Sequence, residues 1–184
     1  LGPDGLETFA DDDGIVCLLP VNREQPAAIR LRVLLATAFG SEWSASKERE
    51  LLTGAGSKKA TLEDWLLDEF FEQHCCIFHQ RPFVWHIWDG LRDGFNALVN
   101  YHSLVAPHGE GHRLLEKLIY TYLGDWITRQ RQDQQKGVEG ADARLVSALH
   151  LQEELKKIRA GEPLYDLFVR WKPLHEQAIG WNPD

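Results

Sequence analysis

The first periodic run of apolar positions lies between Pro26 and Phe39. Ile29, Val33, Leu34 and Leu35 fall mainly on one helical face. Pro26 suits the first helical position and Gly40 the stop, so the run predicts a helix. Ser44 to Leu52 predicts a second, shorter helix. Thr61 opens a third, with Asp64 three residues on in a pattern close to a capping box. Its helical period passes through Trp65, Leu66, Phe70 and Phe71 to about His79. The pattern then changes. Pro82 to Trp88 is aromatic and β-branched, and Phe95 to Leu104 alternates Phe95, Ala97, Val99 and Tyr101 against Asn96, Leu98, Asn100 and His102. With the turn signal Asp89-Gly90 between them, the two runs predict a β-hairpin whose loop spans Asp89 to Gly94.

The strongest periodic segment is Gly111 to about Gln135. Leu114, Leu115, Leu118, Ile119, Tyr122, Leu123, Trp126 and Ile127 make one continuous stripe. A polar linker, Gln132 to Gly140, leads to a second long helix that Asp142 is expected to cap and that ends near Ala160. Two long helices and one connection predict an antiparallel helical hairpin. Ahead of all this, residues 1–25 read as an irregular lead-in with an acidic turn, Asp11-Asp12-Asp13-Gly14, and a short strand-like run, Ile15 to Leu19, that Pro20 ends. Beyond Gly161-Glu162-Pro163 a short tail offers Leu167, Phe168, Val169 and Trp171 as anchors. The expected class is α+β, mostly α-helical, with one aromatic β-hairpin and a long antiparallel helix pair. Residues 1–184 form a single domain or a fragment of a larger protein. Its sections are a lead-in with helices (1–80), the hairpin (81–105), the helical hairpin (111–160) and the tail (161–184).

Composition narrows the class of protein. A chain of 184 residues that is 43% apolar and 26% charged has globular proportions. No apolar run approaches the ~20 residues needed to cross a bilayer, and Leu1-Gly2-Pro3-Asp4-Gly5 has no signal-peptide character. There are three cysteines, two of them adjacent (Cys75 and Cys76), which suits a reducing compartment. The expected location is the cytoplasm, with no membrane partner. The absence of Met suggests an excised piece. A net charge of −8 argues against a free-standing DNA-binding module, which needs basic residues to neutralise phosphates.

Several clusters carry possible chemistry. His74, Cys75, Cys76 and His79 include one pair, Cys75 and His79, at workable zinc spacing on a helix. No second ligand pair accompanies it, and two buried cysteines with helix-end histidines is the simpler reading. A Cys76–His79 nucleophilic pair lacks a third group to orient the base. Gly54 to Lys59 evokes a phosphate loop but lacks its glycine spacing. Asp11 to Asp13, His102, His108, His112 and Glu153-Glu154 read as solvated groups. The chain has seven tryptophans. Trp85 and Trp88 in the hairpin are candidates for stacking on bases, although a place in the core is the simpler reading. Arg81 and Arg92 flank that hairpin, and Arg129, Arg131, Lys136, Lys156, Lys157 and Arg159 sit towards helix ends. The nucleic-acid candidates are therefore Arg81, Trp85, Trp88, Arg92, Arg129 and Arg131. No catalytic, cofactor or metal residue is assigned.

Four stretches carry a family resemblance. They are Asp11-Asp12-Asp13-Gly14-Ile15-Val16; Arg81-Pro82-Phe83-Val84-Trp85-His86-Ile87-Trp88 with Asp93-Gly94-Phe95-Asn96-Ala97-Leu98-Val99-Asn100-Tyr101-His102; Tyr120-Thr121-Tyr122-Leu123-Gly124-Asp125-Trp126-Ile127; and Tyr165-Asp166-Leu167-Phe168-Val169-Arg170-Trp171-Lys172-Pro173-Leu174-His175-Glu176-Gln177. The chain resembles the region downstream of the catalytic domain in large adenine-specific DNA methyltransferases of phage defence, of the BREX (PglX-like) and DISARM kinds, related to type IIG restriction-modification enzymes. The resemblance implies a parent that moves a methyl group from S-adenosylmethionine to an adenine flipped from duplex DNA. The family's Asn-Pro-Pro-aromatic motif has only Asn182-Pro183-Asp184 as a near match here, and the cofactor loop is missing. No catalytic or cofactor residue carries over. The segment would then help engage DNA or brace the catalytic domain, or dock another defence subunit. A DNA role predicts one basic face, a docking role an exposed apolar patch, and an independent enzyme a pocket holding Cys75 or Cys76 beside a histidine.

Overall fold

The computed structural model describes residues 14–21, 25–78, 83–100, 103 and 110–160. The expected acidic turn at Asp11–Asp13, His79, Arg81, Pro82, Tyr101, His102, His108 and the tail lie outside these. The chain is α+β. Strand β1 (Ile15–Cys17) precedes helices α1 (Ala27–Phe39), α2 (Ala45–Gly54), α3 (Leu62–Asp68) and α4 (Phe70–Ile77). Strands β2 (Val84–Trp88) and β3 (Asn96–Asn100) follow. Then come α5 (Glu110–Glu116), a π-helical turn (Lys117–Tyr122), α6 (Leu123–Gln135) and α7 (Ala141–Arg159).

The hairpin forms, with Val84 opposite Asn100 and Trp88 opposite Asn96. It is shorter than expected, and it is not alone. β1 pairs with the other side of β3, Ile15 opposite Val99 and Cys17 opposite Ala97, giving an antiparallel order β1-β3-β2. Alternation of this kind commonly leaves one sheet face in water. Instead both faces are covered. Ile15, Cys17, Trp85, Ile87, Ala97 and Val99 pack with the stripe from Leu114 to Ile127 and with Leu145, Leu151, Leu155 and Ile158. Val16 and Leu98 pack on the opposite face with Ala27, Ala28, Leu52, Leu62, Leu66 and Leu67. The sheet is thus a middle layer between two helical groups. Each fully buried aliphatic side chain there contributes about 1.5–3 kcal/mol.

The early helices follow their start signals. The Ser44 hydroxyl accepts from the Lys47 amide at 3.2 Å, and the Thr61 hydroxyl accepts from the Asp64 amide at 3.2 Å. Pro26 sits one position earlier than expected, extended (ψ 151°) ahead of the first helical residue. The helix expected from Thr61 to about His79 is two helices. Glu69 (φ −128°, ψ −30°) breaks it between Asp68 and Phe70. The break has a packing reason. α3 gives Leu62, Leu66 and Leu67 to one face of the sheet, whereas α4 gives Phe71 and Cys75 to the core on the other.

The long stripe is also interrupted, by the π turn. Its apolar positions recur every four residues: Leu114, Leu118, Tyr122, Trp126, and beside them Leu115, Ile119, Leu123, Ile127. Four residues overshoot one α-helical turn by about 40°, so three such steps would drift the stripe about 120° round the helix. A π turn, bonded i to i+5, takes more residues per turn and reverses that drift. All eight side chains are consequently buried. The antiparallel pairing with α7 is set by contacts at both ends. Gln134 donates to Asp142 at 2.5 Å, Arg144 to Gln130 at 2.8 Å, Gln152 to the Ile119 carbonyl at 3.3 Å, and Arg159 pairs with Glu116. Gly140, at φ 76°, occupies the cap position expected of Asp142, whose carboxylate is held by Gln134. Among the described residues no helix is long and apolar enough to cross a membrane.

Candidate functional site

The β2–β3 loop is built around a buried carboxylate. Asp89 accepts the Leu91 amide at 3.1 Å and the Phe95 amide at 2.8 Å. The Trp88 indole N–H donates to the Leu91 carbonyl at 2.8 Å, and Asn96 pairs with His86 at 2.9 Å. Gly94 is required: a Cβ there would lie 2.1 Å from an Asp89 oxygen. Burial pushes the Asp89 carboxyl up to about 6, against the pull of its two amide bonds. The next residues face outward and are tied down. Arg92 pairs with Asp64, and with Asp68 at 3.4 Å; Lys59 meets the same Asp68 at 2.7 Å. Asp93 receives Arg144 at 2.9 Å.

This geometry corrects one nucleic-acid candidate. The Trp85 side chain is fully buried between the sheet and the helical hairpin, so it cannot stack on a base in the folded protein. Trp88 is half-buried and its indole closes the loop. Arg92 is exposed but ion-paired. Arg129 donates to the Pro20 carbonyl at 3.3 Å and lies 3.9 Å from Asp133. Arg131 is exposed, and no ion pair is formed by it among the described residues. Arg81 lies outside them. Among the described residues, three further cations near helix ends do not adjoin these. Lys156 and Lys157 pair with Glu153 and Glu154, and Arg159 with Glu116. They stand at the end of the helical hairpin opposite Arg131 and Lys136.

The His–Cys segment divides between interior and surface. His74 is buried, and its Nε2 accepts the Phe83 amide at 2.8 Å, with the Val84 amide at 3.4 Å. Burial lowers its pKa and the accepted bonds need an unprotonated Nε2, so the ring is a neutral acceptor. Cys75 is buried in the core and its thiol is pushed up to about 11, chiefly by burial. Cys76 is exposed, which corrects the expectation of two buried cysteines. Of these two adjacent thiols, the buried one is thus the less able to become a nucleophile. Among the described residues no three His, Cys, Asp or Glu side chains are placed to hold a metal.

Above His74 the interior opens into an apolar surface. Phe70, His74 and Phe78 recur every four residues along α4 and its C-terminal end, with ring centroids 5.5 and 4.9 Å apart. Phe78 meets Phe83 edge-on at 4.6 Å. Ile77 is 69% exposed, Phe78 39% and Phe83 49%. Phe78 and Phe83 touch, and Ile77 precedes Phe78 in the chain, so large apolar side chains at this exposure gather at the end of α4. The four-residue spacing of Phe70, His74 and Phe78 is the signal by which the sequence shows this row. No protein-family model matches the chain, and no curated protein matches it.

Proposed function

We propose that this chain is a noncatalytic bracing and docking domain of a larger S-adenosylmethionine-dependent adenine-specific DNA methyltransferase of phage defence. The parentage rests on the four stretches of sequence resemblance. The docking role rests on the exposed patch of Ile77, Phe78 and Phe83 at the end of α4. An apolar surface of this kind is stabilised by being covered, at about 25 cal/mol for each Å² removed from water. The occupant in this reading is the remainder of the parent methyltransferase, which alone supplies the cofactor site and the methyl transfer. Duplex DNA is then met through the parent, not through this domain.

The competing role, direct DNA engagement, is favoured by one observation: Arg131 is exposed and forms no ion pair among the described residues. Arg92→Ala and Arg131→Ala in the intact parent separate the two. The docking reading expects the slope of DNA affinity against salt to stay as it is. If either arginine neutralises a phosphate, its removal lowers that slope by about one. Such a fall would return the DNA role to this domain.

A further inference from the structure

We draw no further inference here: the strongest candidate, the second exposed apolar face that Ile29 and Val33 make on the outer side of α1, carries none because nothing in the structure shows what covers it.

Discussion

Arg144 of α7 donates to Asp93 of the β2–β3 loop across 2.9 Å, and the neighbouring Arg92 reaches the opposite way to Asp64 and Asp68 of α3. Two consecutive loop residues therefore tie the two helical groups to one edge of the sheet that separates them. These are exposed or half-exposed ion pairs, each contributing up to about 1 kcal/mol. Their effect is geometric. The loop can hold both partners only while Asp89 keeps its own backbone in place from within.

That internal support has a pH signature. The folded pKa of Asp89, about 6, stands above its ordinary 3.8. A raised pKa means that the folded state prefers the protonated group. Its stabilising contribution is complete below about pH 3.8 and is lost as pH rises through about 6. The paired Glu48 and Glu63 act in the other direction, because Arg32 holds both below the usual carboxylate range. The contribution of Asp89 is isolated by comparison with Asp89→Asn. Thermal or urea midpoints of the two proteins, measured from pH 4 to 8, should diverge in slope between about pH 4 and 6. The natural chain should lose stability relative to the variant as pH rises. Parallel curves would show that burial does not shift this carboxyl.

The π turn is a matter of register. Deleting Thr121, an exposed residue inside it, should leave an unbroken α-helix and keep Glu110 to Tyr120 in register, because the turn absorbs about one residue, or about 100° of rotation. Leu114 and Leu115 would stay in the core. Thr121→Ala should cost less than about 0.5 kcal/mol, as a surface substitution does. Urea unfolding of the two variants checks this. A loss of several kcal/mol on deletion, the scale of large-to-small core changes, would mean that the π turn does not absorb the extra residue.

Thiol chemistry should separate the cysteines. Cys76 is exposed, whereas Cys17 and Cys75 are buried and the Cys75 thiol is pushed up to about 11. A thiol reagent at pH 7.5 should label Cys76 in the native chain and reach the other two only on unfolding. Mass spectrometry of the labelled peptides gives the answer directly. Labelling of Cys75 at the rate of Cys76 would contradict the placement of α4.

Much of this fold is legible in the chain. The hairpin, the long helix pair and the caps at Ser44 and Thr61 follow from alternation, periodicity and short polar side chains that satisfy free amides. The rest depends on contacts between distant segments. Ile15 to Cys17 reads as a strand, but nothing local assigns it to the far side of β3. Leu98 alternates with Ala97 and Val99, but nothing local shows that it packs with side chains of α1 and α3. The break at Glu69 carries no glycine or proline, because its cause is the pair of cores that α3 and α4 serve. Trp85 reads as a base-stacking candidate because composition counts tryptophans and says nothing of their burial. The Arg92 and Asp64 partnership spans 28 positions, beyond any local pattern.

The most direct test of the docking account is hydrogen exchange across α4, compared between this segment alone and the intact parent. The amides from Gln73 to Phe78 should exchange at least about tenfold more slowly in the parent, and Ile77→Asp in the parent should abolish that difference. The same exchange in both proteins would contradict the account, because the patch would then face solvent in the whole enzyme as well.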